Sequence, residues 1–151
     1  MKTLSSILLV LLLIPLIPGC VSEGCYEEID SDLVISLYKT DSEDPDKIDS
    51  LTVYGFGMED LKLYEMAAPG SLMLPLNPGP PSSTFVIING TISDTLTIVY
   101  SSRYNFVSKG CGYNYLYTIK SISYTKNHID TILVINESIN PSDEENLRAF
   151  F

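Results

Sequence analysis

The side chains that could do chemistry in this 151-residue sequence are few and thinly spread. The single histidine, His128, stands in Lys126-Asn127-His128-Ile129-Asp130, between two β-rich runs. A serine nucleophile would need it as base, yet no Gly-x-Ser-x-Gly elbow occurs. Zinc would need a set of His and Cys ligands that one histidine and three cysteines do not supply in any metal-binding spacing. No Gly-rich loop joins a strand to a helix to cradle phosphate. Carboxylates are plentiful, but their spacing alone assigns none an acid or base role. His128 reads as an ordinary loop residue, and the chain as neither an enzyme nor a cofactor binder.

Two patterns could hold a ligand. Asp41, Glu43, Asp44, Asp46 and Asp49 crowd one short segment, and hard cations such as calcium take oxygen ligands. The segment lacks the alternating carboxylates, the glycine and the distal glutamate of an EF-hand loop, so a solvated hairpin loop is the first reading. Tyr100, Tyr104, Tyr113, Tyr115, Tyr117 and Tyr124 concentrate in the second half. Tyrosines offer large area with a polar tip and can stack on sugars; they also pack readily along the face of a strand.

Cysteine chemistry is more specific. Met1-Lys2 gives a basic start, Ile7 to Ile14 is unbroken Ile, Leu and Val, and Gly19 precedes Cys20. These are the parts of a secretory signal peptide, and the apolar core is well short of the roughly 20 residues that span a bilayer. Ile17-Pro18-Gly19-Cys20 resembles a bacterial lipobox, which implies cleavage after Gly19 and acylation of Cys20. The expected organisation is a lipoprotein signal peptide over 1–19, a lipidated acidic tether over 20–32 and a folded domain over 33–151. The expected location is the cell envelope, as an outer-membrane lipoprotein held to the membrane through Cys20. Cys25 and Cys111 are then left to form a disulfide, which an oxidising compartment permits, or to remain as two buried thiols.

Without the leader, 8 basic and 19 acidic side chains remain, a net charge of −11. That excludes nucleic acid, whose phosphates demand basic surface, and a polybasic grip on anionic lipid.

The elements that must position these residues read as strands. Leu33–Tyr38 alternates with period two, and Leu51–Phe56 is interrupted by Gly55 and Gly57. Leu61–Tyr64 is short. Leu72–Leu76 carries Pro75 and belongs at an edge. Phe85–Ile88 is continuously apolar and belongs at a sheet centre. Asn89-Gly90 marks a tight turn into Thr95–Tyr100. Arg103–Val107, Tyr113–Tyr124 and Asp130–Ile139 follow, and the aromatic tail Leu147–Phe151 reads as docked. Many short strands and no helix predict an all-β fold, a single antiparallel β-sandwich of immunoglobulin-like or transthyretin-like kind.

A series of motifs carries a resemblance. Cys25 precedes a strand; Leu51-Thr52-Val53-Tyr54-Gly55, Leu74-Pro75-Leu76-Asn77-Pro78, Ser83-Thr84-Phe85 and Asp94-Thr95-Leu96-Thr97-Ile98 follow in order; Phe106-Val107-Ser108 leads to Cys111-Gly112. Over residues 25–151 the chain resembles small Bacteroidota envelope lipoproteins built on a domain of unknown function. The resemblance implies the envelope location, the β fold and a Cys25–Cys111 pair, and carries over no functional residue. Asp49-Ser50-Leu51, Asp94-Thr95-Leu96 and Asp130-Thr131-Ile132 also resemble the O-glycosylation acceptor of Bacteroidota envelope proteins, with Ser50, Thr95 and Thr131 as acceptors. The functional expectation is a non-catalytic binding or structural module with an envelope protein or glycan as partner. The alternative is an accessory protein holding calcium in its acidic loop or a saccharide on its tyrosine face.

Overall fold

The computed structural model describes residues 24–40, 44–142 and 144–151. The leader, Cys20 and the lipobox lie outside the described residues, as do Asp41 to Glu43. No described residue is helical. Two sheets pack face to face. The smaller is built from β1 (Leu33–Tyr38), β4 (Ser71–Leu74), β8 (Thr131–Val134) and β10 (Leu147–Phe150), in the order β4-β1-β10-β8. The larger holds β2 (Leu51–Gly55), β3 (Lys62–Ala67), β5 (Ser82–Asn89), β6 (Ile92–Ser108), β7 (Gly112–Tyr124) and β9 (Ser138–Ile139), in the order β3-β2-β5-β6-β7-β9.

The core follows from period-two alternation. Leu33, Ile35 and Leu37 of β1, Leu72 and Leu74 of β4, and Leu147 and Ala149 of β10 are all buried. They meet Leu51, Val53, Phe85, Ile87, Leu96 and Ile98 of the larger sheet in one apolar cluster. Burying each Leu or Ile contributes about 1.5–3 kcal/mol. β5, which holds the apolar run Phe85–Ile88, sits between β2 and β6, inside its sheet, and β4, which ends just before Pro75, is an edge strand.

Four expectations are corrected. Thr95–Tyr100 and Arg103–Val107 are parts of one strand, β6, of 17 residues. Its register against β7 shifts between Val99 and Tyr100, and this bulge keeps the pairing continuous while the apolar pattern gives way to Ser101-Ser102. Asp130–Ile139 is two short strands in different sheets, separated by the turn around Asn136. The sandwich is not wholly antiparallel: β10 pairs parallel with β1, Ile35 opposite Leu147 and Tyr38 opposite Phe150. The tail is thus an interior strand of the smaller sheet, held where no local hairpin could place it. The β5–β6 turn also sits one residue later than Asn89-Gly90. Asn89 pairs with Ile92, so Gly90 and Thr91 are the central pair, with Gly90 at φ +59°, a conformation that suits glycine.

Candidate functional site

The longest two strands make the most unusual surface. The smaller sheet has strands of four to six residues, whereas β7 has 13 and β6 has 17. The β6–β7 ribbon therefore overhangs its partner sheet. Because directly opposed residues share a face, the pairs Leu96↔Tyr124, Ile98↔Ile122, Tyr100↔Ile119, Ser102↔Tyr117, Tyr104↔Tyr115 and Phe106↔Tyr113 form one inward-facing row. All six tyrosines singled out from the sequence lie on it.

Coverage by the smaller sheet then divides them. Tyr100 and Tyr117 are buried, 5.3 Å apart and edge-on. The Tyr100 hydroxyl lies 2.8 Å from the Asn77 carbonyl, to which it donates, and the Tyr117 hydroxyl donates to Leu76 O at 3.0 Å. Burial first, then the neighbouring Tyr100, Tyr115 and Asp32, push the Tyr117 phenol up to about 12. Tyr115 and Tyr124 are partly buried. Beyond the covered zone Tyr104, Phe106 and Tyr113 are 70%, 56% and 67% exposed. Tyr104 packs on Tyr115 at 4.5 Å and Phe106 on Tyr113 at 5.2 Å. Core packing and an open aromatic face are both present, at different heights on the same ribbon.

The tether runs along this end. Cys25 is bonded to Cys111 in the β6–β7 turn, with α-carbons 4.5 Å apart. Asn114, buried, donates from Nδ2 to Ile29 O at 3.3 Å and accepts from Asn105 Nδ2 at 3.0 Å. Between tether and ribbon lies a cleft of about 280 Å³ lined by Asp30, Ser31, Asp32, Tyr113, Tyr115 and Tyr117, among others. Ser31 is 8% exposed and its Oγ has no hydrogen-bond partner. One turn residue beside the staple, Gly112, has φ +75°, which lets the chain reverse immediately after Cys111.

The remaining sequence candidates fall elsewhere. Asp94 is 2% exposed. One carboxylate oxygen accepts from the Thr125 hydroxyl at 2.6 Å and Asn127 N at 2.8 Å; the other accepts from His128 N at 2.7 Å and Ile129 N at 3.0 Å. Burial raises its pKa, but these four donors outweigh burial and hold it below the ordinary value. Asp94 is a loop anchor, and Thr95 beside it is half-buried. Ser50 and Thr131 are exposed. All three acceptor candidates lie at the end of the sandwich that carries the β5–β6 turn, away from the disulfide. His128 is not a plain surface residue: its ring packs 5.5 Å from Phe151 and its Nδ1 is buried without a partner. In the acidic loop, Asp46 bridges Lys39 at 2.5 Å, and no group of three or more His, Cys, Asp or Glu side chains among the described residues could hold a metal ion.

A charge signal went unread in the sequence. From Thr95 to Ile129 there is no Asp or Glu, while Arg103, Lys109, Lys120 and Lys126 all fall in that run. In a chain of net charge −10 the β6–β7 ribbon is therefore the basic part. Overall charge concealed it; a sliding count along the chain finds it.

No curated protein and no solved structure matches this chain. Cys25 and β1 precede the residues that a family model does match. That model, described as "Family of unknown function (DUF6452)", matches residues 50–151, from the start of β2 to the C-terminus, and the chain belongs to this family.

Proposed function

We propose that this chain is a lipid-anchored protein of the cell envelope whose β-sandwich serves as a non-catalytic binding or structural module, with an envelope protein or glycan as partner. One observation carries the anchor. Cys25 and Cys111 are bonded to each other, so Cys20 is the odd cysteine of three, and it directly follows a leader ending in Ile17-Pro18-Gly19. An exported chain with paired internal cysteines and an unpaired one at a cleavage point has a use for that thiol as an acyl acceptor. Two or more acyl signals give stable membrane attachment, whereas one chain alone is marginal.

The anchor is tested by fractionation. Wild-type protein should sediment with membranes and carry a lipid mass on its N-terminal peptide; Cys20→Ser should be recovered in the soluble fraction with its fold intact. Membrane retention of the variant would remove the anchor. The partner is sought by cross-linking on intact cells.

A second reading has its own support. Ser31 Oγ, buried and unpartnered, opens with Asp30 and Asp32 onto a cleft walled by Tyr113, Tyr115 and Tyr117. A saccharide could stack on the rings, donate its hydroxyl protons to the carboxylates and exchange a hydrogen bond with the Ser31 hydroxyl. Titration with envelope polysaccharides should move the Ser31 and Tyr115 resonances; no shift with any of them would end this reading.

A further inference from the structure

We infer that the free end of the β6–β7 ribbon lies on the lipid surface, with Phe106 and Tyr113 in the interfacial layer. The inference rests on the lipid anchor proposed above and adds an orientation to it. The first argument is covalent reach. Cys20 and Cys25 are five residues apart, which at full extension span at most about 18 Å. Cys25 is bonded to Cys111, so the ribbon turn cannot leave the neighbourhood of the acylated residue. Without the disulfide the tether could pay out to Leu33; with it, the leash ends at the ribbon.

The second argument is what that turn displays. The Phe106↔Tyr113 pair is separated from the turn by the Ser108↔Gly112 closure alone, and both rings are more than half exposed. Tyr104 continues the row, and Tyr26, next to the bonded Cys25, is 94% exposed. Aromatic rings with polar tips collect at membrane–water interfaces, apolar body inward and hydroxyl outward. Arg103 and Lys109, both exposed on this segment, only offset the exposed Glu27 and Glu28 of the tether stapled beside it, so the orientation rests on the covalent reach and the aromatic row. The opposite end, at the β5–β6 turn, lies about 45 Å from Phe106 along β6.

The chain has no tryptophan, so one introduced indole is a clean reporter. Phe106→Trp and, as control, Ile92→Trp at the far end (Ile92 is 41% exposed) would be made in the full chain, purified lipidated from membranes, and reconstituted in phosphatidylethanolamine–phosphatidylglycerol vesicles. Flotation is measured first. With brominated lipid in the vesicles, the F106W emission should blue-shift and be largely quenched, while I92W keeps its emission and stays open to aqueous iodide. Flotation with F106W unquenched by bromolipid overturns the orientation and leaves the anchor standing. F106W emission that responds to soluble envelope polysaccharide instead assigns the aromatic end to a glycan, again overturning the orientation. If neither variant floats, the anchor itself fails, and the orientation with it.

Discussion

Cys25 and Cys111 are 86 residues apart in sequence and 4.5 Å apart at their α-carbons, joined at the turn of the β6–β7 ribbon. The bond closes a loop that includes four of the six strands of the larger sheet and two of the four of the smaller. On the chain-entropy account a loop of this length stabilises the fold by about 4–5 kcal/mol. The sandwich core does not depend on it, because no core residue is contributed by the tether before Leu33. Replacing both cysteines by serine should therefore leave a folded β protein whose Tm is lower by about 15 °C. Circular dichroism melts with and without reductant check this: reductant should move the wild type to the variant's midpoint and leave the variant unmoved.

Asp94 offers a pH signature. Its four donors come from Thr125 and the backbone of residues 127–129, so the carboxylate holds the β7–β8 connection to the start of β6. Its pKa is depressed below the ordinary 3.8: burial opposes ionisation, and the donors outweigh it. A depressed acid contributes stability that is complete above the ordinary value and is lost as pH falls through the lower folded value. Asp94→Asn should cost about 2–4 kcal/mol near neutral pH, because the amide NH2 then faces two of the four donors in a buried site and the charge that the others met is gone. Urea unfolding at neutral and at strongly acid pH should show the gap between variant and wild type closing in acid.

Tyr117 supplies the complementary alkaline signature. Its pKa is pushed from 10.0 to about 12, first by burial and then by Tyr100, Tyr115 and Asp32. The folded state holds the phenolic proton over that interval and the unfolded state gives it up. Stability is therefore full below 10.0 and falls as pH rises toward about 12. Tyr117→Phe should lose about 1–2 kcal/mol near neutral pH, since the buried Leu76 carbonyl loses its donor. It should also flatten the alkaline decline. Tyrosinate absorbance followed alongside unfolding, wild type against Tyr117→Phe, checks this.

Local patterning made much of this architecture legible. The continuous apolar run of Phe85–Ile88 placed β5 inside a sheet, and Pro75 placed β4 at an edge, because each depends on the hydrogen bonds and neighbours of its own strand. The parallel pairing of β1 with β10 was not legible: partners more than a hundred residues apart leave no periodicity that names one another. Ser101-Ser102 hid the continuity of β6, since a strand that outruns its covering sheet no longer needs apolar residues on its inner face. Asp94 looked like a glycosylation acceptor's neighbour and is a buried anchor; a carboxylate reads the same in sequence whether water or four N–H and O–H donors surround it. For the candidate site, the tyrosine row was visible, but not which rings were covered. That depends on the length of the other sheet.

The three Asp-Ser/Thr-aliphatic sites can now be ranked by access. A glycosyltransferase acting on the folded chain must reach both the hydroxyl and its flanking acid. At Asp94-Thr95 the acid is 2% exposed and fully engaged, and Thr95 N is itself occupied by the Thr125 hydroxyl at 2.9 Å. Asp49-Ser50 and Asp130-Thr131 are exposed at all four residues, and Ser50, at φ +60°, projects from a turn rather than a strand. Both lie at the end remote from Cys25, which the proposed anchor turns toward open solvent. Intact mass of protein from native membranes should show an excess beyond the lipid. Ser50→Ala and Thr131→Ala should each reduce it, and Thr95→Val should leave it unchanged. A native mass with no such excess would end the glycosylation reading, and an excess removed by Thr95→Val would mean that the sugar is added before Asp94 closes its loop.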